Sequence, residues 1–419
     1  MLARNLKLNP LGALLLASLV LFAALGSACS SDGDSGSDAG LRIGALLPLT
    51  GALGSYGETS KAALDDAVAS MNLNGRTSVT LVVEDTRTDP PTALEKLKSL
   101  KDRGLKLVIG PYASSEVKAV IDYANQNGII LISPLSTART LAIPDDNVLR
   151  FTPDDEQEGL AMAAVAWANG TRIIVPVTRD DEGNQGLQSA MRVHFEKLGG
   201  RFLAPIAYPP NETDFKDEAT AIDNAVRVAG GRQAGVGIYL TAFDEVTGLF
   251  GATAAIPALA ELPWYGSDSV ALSKGLVENT TAAAFAARAV YPNPILGLRD
   301  SDRGAWGPVS ERVAAKLGRQ PDAFALAAYD ALKVGHAAMT AAGARADATA
   351  LRQQVIDKAA DYTGLTGPTV LNPAGDRALG NYDFWSVCRS GSGFTWQRSY
   401  TYIAAAGGTA GRVDKMPPC

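Results

Sequence analysis

The residues best suited to ligand chemistry in this sequence are hydroxyl groups that follow short apolar runs. Ser114 and Ser115 follow KLVIGPYA (106–113), and Thr137 follows IILISPLS (129–136). Hydroxyls and free backbone N–H groups at a helix N-terminus suit a carboxylate. The same residue types also form helix caps and Ser/Thr turns, and their chemistry alone favours neither role.

A carboxylate and a tyrosine add two further candidates. Asp268 ends the run WYGSD (264–268), where it could pair with an ammonium group or cap a helix beginning near Val270; the residues favour both equally. Tyr56 lies in the glycine-rich loop GALGSYG (51–57). The loop imitates a dinucleotide-binding fingerprint, but its spacing is G-x-x-G-x-x-G and Pro48 breaks the turn before it. We therefore expect it to approach a small ligand or merely to turn the chain.

Catalytic and metal-binding motifs are missing from the sequence. Its two histidines, His194 and His336, each fall inside a predicted helix, far from any cysteine or paired carboxylate. There is no G-x-S-x-G elbow and no Walker A loop. The formal net charge of −6 gives no basic stripe for nucleic acid. We predict a protein that is not an enzyme and uses neither cofactor nor metal.

The first forty residues read as an export segment and an anchor. Arg4 and Lys7 precede the apolar run 11–25, and the small residues 26–28 precede Cys29. The run is shorter than the ~20 residues needed to cross a bilayer. We predict a signal peptide (1–28), then a lipidated Cys29 with a flexible polar tether (29–40). Cys29 follows small residues as in the bacterial lipoprotein box, although Gly26 stands where a leucine is usual. Simple secretion is the alternative.

Cysteine usage is simple once Cys29 is assigned to lipid. Cys388 and Cys419 are the only others, and export places them in an oxidising compartment. We predict that they form a disulfide that holds the C-terminus. A free C-terminal thiol is the alternative.

Strand-like and helix-like segments alternate from Leu41 onwards. Predicted strands at 41–47, 79–85, 106–110, 129–133 and 148–151 are separated by helical segments, and the alternation restarts after the polar segment 152–157. Apolar strands separated by helices indicate parallel sheets covered on both faces. The last predicted strands, 381–388 and 394–402, flank a Ser-Gly turn and look antiparallel. We predict an α/β protein of two lobes, since about 380 residues exceed one usual core.

The chain resembles the leucine/isoleucine/valine-binding type of periplasmic solute receptor that serves ABC importers. The resemblance rests on IGALLPLTGALGSYG, VIGPYASS and IILISPLST, at the spacing of that family. It implies a type I periplasmic binding protein with two Rossmann-like lobes, parallel-rich sheets and three hinge crossings. The implied first lobe is 41–153 plus 289–365, and the second is 154–288 plus 366–419.

The resemblance also implies the ligand contacts. Ser114 would hold an α-carboxylate, Thr137 and the Leu135 carbonyl would grip carboxylate and ammonium, Asp268 would pair with the ammonium, and Tyr56 would line the side-chain pocket. The same loops would add Tyr112, Ala113, Ser136 and Phe243. Two departures concern the walls of the pocket: DDEGN (180–184) stands where the family often has Tyr-Gly, and Ala242-Phe243 stands where it often has a tyrosine.

The expected function is therefore ligand capture outside the cytoplasm. We expect a monomer, lipid-anchored at the periplasmic or extracellular face of the cell membrane, that delivers a branched-chain or related amino acid to an ABC permease. The alternative is a sensor of the same fold, for an amino acid, amide or small carboxylate, that signals without transport.

Overall fold

A computed structural model describes residues 40–74, 78–404 and 411–417. The predicted signal peptide, Cys29, most of the tether and Cys419 lie outside the described residues. The signal peptide, the lipid anchor and the disulfide therefore stay predictions.

The described chain alternates strands and helices, numbered here in chain order. The strands are β1 (Leu41–Leu47), β2 (Val79–Asp85), β3 (Leu107–Ile109), β4 (Ile130–Ser133), β5 (Val148–Arg150), β6 (Ile173–Arg179), β7 (Arg201–Phe202), β8 (Ile206–Tyr208), β9 (Val236–Thr241), β10 (Trp264–Tyr265), β11 (Asn293–Leu296), β12 (Thr363–Gly364), β13 (Gly367–Pro368), β14 (Tyr382–Ser390), β15 (Gly393–Ile403) and β16 (Arg412–Lys415). The α-helices are α1 (Gly54–Asn74), α2 (Pro90–Asp102), α3 (Ser114–Asn127), α4 (Asp155–Ala168), α5 (Glu182–Lys197), α6 (Lys216–Val228), α7 (Val246–Thr253), α8 (Lys274–Glu278), α9 (Thr280–Ala289), α10 (Arg303–Leu317), α11 (Ala323–Ala342) and α12 (Ala348–Asp361). Short 3₁₀ turns occur at Arg139–Leu141, Gly231–Ala234, Pro257–Glu261, Asp268–Val270 and Asp300–Asp302.

The first lobe is built on a parallel sheet with strand order β2-β1-β3-β4-β5. Alternate residues of its strands point to opposite faces. Ile43, Ala45 and Leu47 pack in one apolar core with α1, α11 and α12. Leu46 instead joins a second core with α2 and α3. Because both faces are covered, the strands read as continuous apolar runs, and the predicted parallel sheet is confirmed.

The second lobe is built on a parallel sheet with strand order β10-β9-β6-β7, and β8 also pairs with β6. Helices α6, α7 and α9 cover one face. Helices α4 and α5 cover the other, together with aromatic side chains of β14 and β15. The single strand predicted near 202–207 is two short strands, since Pro205 lies between them and has no N–H to donate.

The segment from 268 to 296 differs most from the sequence prediction. A helix was expected to begin near Val270, but Asp268–Val270 is a 3₁₀ turn and α8 begins only at Lys274. Helix α9, which the Asn279 carboxamide caps through the Ala282 N–H, and strand β11 were not predicted. Strand β11 pairs with β14 of the predicted hairpin in an antiparallel sheet of order β11-β14-β15-β16.

A buried ion pair links the end of the first sheet to the C-terminal part of the chain. Arg150 and Asp376 are each about 1% exposed, and the Arg150 Nη2 atom lies 2.7 Å from Asp376 Oδ2. Arg150 Nη1 also donates to the Ala138 carbonyl at 2.7 Å. Backbone bonds from Arg150 to Gly375 and from Arg377 to Arg150 flank the pair. The lobe boundaries themselves stay a prediction.

Replacing Asp376 with Ala leaves the Arg150 guanidinium buried without its carboxylate. We expect Asp376→Ala to lower the free energy of unfolding by ~3–5 kcal/mol. Asp65→Ala is the matched control, because the Lys61–Asp65 pair is 38% and 49% exposed and contributes ~0.5 kcal/mol or less. Urea denaturation followed by circular dichroism measures both. Equal effects of the two substitutions would contradict this role for the buried pair.

Candidate functional site

The loops predicted to bind ligand lie together at one edge of the first sheet. The carboxyl ends of β1, β3 and β4 are neighbours, because these strands pair in parallel. The loops that follow them start at 48, 110 and 134. In open α/β sheets this edge is where ligands bind.

Ser114 joins two of these loops. Its Oγ lies 3.0 Å from Ser136 Oγ and accepts a hydrogen bond from the Ala138 N–H at 3.2 Å. Helix α3 begins at Ser114, so the N-cap position is Ala113. The Ala113 N–H donates to the Glu116 carboxylate at 3.0 Å. Ser114 is therefore not a helix cap, and its hydroxyl faces the loop after β4.

Thr137 is buried in that same loop, and its carbonyl accepts from the Asp155 N–H at 2.9 Å. It thus contacts the first turn of α4. The side chains of Tyr112 and Leu135 belong to the apolar core of the first lobe, as does Ala113. Phe243, from the predicted second lobe, packs into that core. Burial raises the pKa of the Tyr112 phenol.

Tyr56 connects the two lobes. It stands in the first turn of α1 and packs edge-on against Phe324, with ring centroids 5.7 Å apart. Its hydroxyl lies 2.6 Å from the Asp268 carbonyl and 2.5 Å from the Ala271 carbonyl. Tyr56 is 2% exposed. The lobes are therefore in contact across the cleft at this position.

Polar contacts from residues around Tyr56 add to the connection. Ser55 Oγ donates to Asp244 at 2.9 Å, and the Asp244 N–H donates to the Ala52 carbonyl at 3.0 Å. At the other end of the cleft, Lys118 and Thr140 both contact the Glu182 carboxylate. These bonds describe a closed arrangement of the two lobes.

The loop after β6, where the family often has Tyr-Gly, is polar and compact. The Asp181 carboxylate accepts from the Asn184 N–H at 3.0 Å and caps α5, and Arg179 pairs with it at 2.7 Å. Gly183 lies against Ser114: a Cβ at position 183 would be 3.4 Å from Ser114 Oγ. The start of α5 therefore lies in contact range of the loop that carries Ser114.

Asp268 is buried in the second lobe and has one free carboxylate oxygen. Oδ1 accepts from the Ser269 hydroxyl at 2.8 Å, whereas Oδ2 is buried without a hydrogen-bond partner among the described atoms. The N-cap of the turn is Ser267, whose side chain makes no capping bond. Its backbone N–H donates to Glu158 Oε1 at 3.1 Å.

Two carboxyl groups of α4 were missed by the sequence analysis. Asp155 and Glu158 lie three residues apart, and hence on one face of the helix. Both are 0–1% exposed, and neither Asp155 oxygen has a hydrogen-bond partner within the described part of the chain. The segment DDEQE (154–158) carried the signal in its acidic i, i+3 spacing, but it was interpreted only as a crossing between lobes.

Burial controls the ionisation of this acidic cluster. Burial raises the pKa of Asp155 to about 8, and the nearby charge of Asp268 adds to the effect. The pKa of Asp268 is raised to about 6, mainly by burial. Burial, followed by the charges of Asp268 and Asp155, raises the pKa of Glu158.

Comparison with known proteins identifies the family. The family model of the periplasmic binding proteins matches residues 40–391. The chain belongs to the periplasmic binding protein family. An uncharacterized protein of Methanocaldococcus jannaschii, MJ1266, is 28% identical over 84% of this chain and 88% of its own length. The Leu/Ile/Val-binding protein BraC3 of Rhizobium johnstonii is 26% identical over 76% of this chain and 84% of its own.

Solved structures show the same fold. The branched-chain amino acid transporter substrate binding protein LivJ from Streptococcus pneumoniae, in complex with isoleucine, superposes with a TM-score of 0.72 at 19% identity. The match covers 86% of this chain and 99% of that protein. The predicted family and type I fold are thereby confirmed, as is the assignment as a binding protein and not an enzyme. Proteins of this family work outside the cytoplasm.

Two further findings on this binding protein apply to residues 40–74, 78–404 and 411–417. In these ranges no group of three or more His, Cys, Asp or Glu side chains is arranged to hold a metal ion. None of the helices there has both the length and the apolar character to cross a membrane.

The raised pKa of Asp155 predicts a specific dependence of stability on pH. A carboxyl whose pKa is ~4 when unfolded and about 8 when folded binds a proton only in the native state between those values. Stability must therefore fall as pH rises through that range. Asp155→Asn removes this loss. We expect the ligand-free variant to match the wild type near pH 4 and to exceed its free energy of unfolding at pH 8 by on the order of 5 kcal/mol.

Denaturant unfolding of the binding protein at five pH values between 4 and 8 measures the difference. Asp217→Asn, on an exposed face of α6, is the control and should show no growing gain. A variant at Asp155 that is less stable than the wild type at pH 8 would refute the argument.

Proposed function

We propose that this protein is the monomeric substrate-binding lipoprotein of an ABC importer and holds a branched-chain or related amino acid between its two lobes. One observation carries the proposal. The loop that carries Thr137 in the first lobe bonds to the first turn of α4, and Glu158 of α4 accepts from the N–H of Asp268. The Asp268 carboxylate is buried in the second lobe and has one oxygen without a hydrogen-bond partner among the described atoms. The carboxylate of a zwitterion suits the hydroxyls of Ser114 and Thr137 in the first lobe, and its ammonium group suits Asp268 in the second.

The ligand docks first on the first lobe in this proposal. Ser114 and Thr137 receive the α-carboxylate at the edge of the parallel sheet, and the Leu135 carbonyl accepts from the ammonium group. Closure then brings the Asp268 carboxylate over the ammonium group. A buried ion pair is favourable only when it is well hydrogen-bonded, and closure supplies the remaining partners.

Tyr56 contributes to closure in two ways. Its ring belongs to the first lobe, and its hydroxyl bonds to carbonyls on either side of the Asp268 turn. The bonds therefore hold the turn that carries the acidic partner. Named functions of relatives support the ligand class, since BraC3 is a Leu/Ile/Val-binding protein and LivJ was solved with isoleucine.

A thermal-shift screen of residues 30–419 against amino acids, amides and small carboxylates tests the function. A ligand at 100 times its Kd stabilises a protein by ~2.7 kcal/mol, which the melting temperature reports. We expect amino acids to raise the melting temperature. In calorimetry, Asp268→Asn should weaken their binding by roughly 10–100-fold, because an ion pair becomes a neutral contact. Asp217→Asn should bind as the wild type does. Amino acids that leave the melting temperature unchanged would refute the function.

The N-terminal sequence supports the anchor in the proposal. Cys29 follows an apolar run and small residues, and the polar residues 30–40 extend from it. A flexible chain of 11 residues reaches ~18 Å. The first strand begins at Leu41, immediately after it. The tether would thus keep the two lobes at the membrane surface, close to a permease.

Substitution of Cys29 tests the anchor. In a bacterial host that lipidates exported proteins, Cys29→Ala should move the protein from the membrane fraction to the soluble fraction and abolish incorporation of radiolabelled fatty acid, since the modified thiol is lost. Ser30→Ala is the control and should stay with the membrane. A Cys29→Ala protein that remains membrane-bound would indicate another anchor.

The predicted disulfide belongs to the same proposal. Cys388 lies in β14, is 2% exposed and stands opposite Thr395 of β15. The Met416 N–H donates to the Ser399 carbonyl at 2.9 Å, on the other side of β15. Strand β15 therefore lies between Cys388 and the chain that leads to Cys419. The support for the pairing is the predicted export and the number of cysteines, and not the order of these strands.

A further inference from the structure

The cleft holds more carboxyl groups than one ammonium group can pair with. Asp155 and Glu158 share a face of α4, and the Glu158 carboxylate reaches the Asp268 N–H at 3.1 Å. Asp155 packs against Gly186 of α5, where a Cβ would clash with its Oδ2 atom. Three carboxyl groups of the second lobe are thereby brought together beside the Thr137 loop of the first.

The oxygens of this cluster are left unsatisfied. Both carboxylate oxygens of Asp155 and Oδ2 of Asp268 are buried and have no hydrogen-bond partner among the described atoms. Buried polar atoms are nearly always hydrogen-bonded. The carboxylate oxygens without partners lie together in one cluster. This indicates that a bound group with several N–H donors supplies their hydrogen bonds.

Tyr239 supplies an independent sign of a missing ligand. It is 0% exposed, and its hydroxyl has no hydrogen-bond partner in the part of the chain that the structure describes. It packs in the same core as α4, and after burial the charges of Glu158, Asp155 and Asp268 raise its pKa. Its hydroxyl bonds to none of these acids, so it is available to a bound group.

No protein cation neutralises the cluster within the described residues. None of the three carboxylates forms an ion pair there with a lysine, arginine or histidine. The Arg150 guanidinium acts on Asp155 from a distance, but it is held in a buried pair by Asp376. The geometry does not suit a metal ion either. The neutralising charge must come from protons or from the ligand.

We infer that the cleft selects an amino acid with a second cationic group, so that the ligand carries a net positive charge. The inference rests on the proposed function and narrows its ligand class. A neutral zwitterion would bring one ammonium to three acids and would set its own carboxylate near Asp155. A diamino acid supplies two cationic groups with up to six N–H donors. Asp155 and Glu158 are then specificity-determining residues beside Asp268.

Calorimetry with matched pairs of amino acids tests this selection at pH 8, where more of Asp155 is ionised than at neutral pH. Lysine against norleucine, and ornithine against norvaline, differ only in the terminal ammonium. We expect the wild type to bind each diamino acid at least 10-fold more tightly than its neutral partner. Asp155→Asn and Glu158→Gln should each reduce this ratio about 10-fold, through a larger loss of affinity for the diamino acid than for its neutral partner. Asp217→Asn should leave the ratio unchanged.

Outcomes separate this inference from the proposed function. If norleucine or leucine binds in an Asp268-dependent manner and lysine binds no better, the cleft is an amino acid site and the cationic selection is wrong. If the ratio in the two variants equals that of the wild type, the selection does not arise from Asp155 and Glu158, and the inference is also wrong. If no amino acid of either kind binds, both proposals fail. Unfolding measurements on Asp155→Asn confirm that the variant is folded.

Discussion

The buried pair of Arg150 and Asp376 connects the parts of the molecule that the site depends on. Arg150 ends the last strand of the first sheet, and Asp376 lies in the segment that leads to the C-terminal hairpin. The same guanidinium donates to the Ala138 carbonyl, next to Thr137. One side chain therefore holds a strand end, a distant segment and a ligand loop together. Because the pair is buried, loss of either partner would leave a charge that the interior cannot solvate.

This arrangement also fixes the geometry of the two loops that carry Ser114 and Thr137. Ala138, whose carbonyl Arg150 holds, uses its N–H to bond Ser114 Oγ, and Ser114 bonds Ser136. The edge of a parallel sheet supplies the position, and the hydrogen bonds between loops supply the orientation. On the other side of the cleft, the Asp268 turn is bonded by Tyr56. The two lobes thus meet through polar groups whose own partners are already fixed, while the carboxylates between them remain unsatisfied. Buried carboxylates without hydrogen-bond partners are unfavourable for stability, and local violations of this kind are typical of a binding site.

Much of the fold was predictable because the periodicity of apolar residues was strong. The strands of the first sheet were placed within about one residue by their apolar runs, and helix α2 by Asp89 and the following prolines. Failures occurred where local signals were weak. The Asp268 turn, α9 and β11 were missed, since their positions depend on packing against the hairpin strands. The pair of strands around Pro205 was merged because two short strands look like one run.

The sequence alone predicted the export segment, and it determined the alternation of strands and helices and the residue types offered by each loop. It also determined the family, through motifs in order along the chain. Only the tertiary structure decided which of two roles each polar residue takes. Ser114 is not a cap but a link between loops, and Asp268 points one oxygen at no protein donor. It alone brought Asp155, Glu158 and Tyr239 beside Asp268. The physical reason is that charge balance in a buried site is set by distances between residues remote in sequence, and no local pattern contains them.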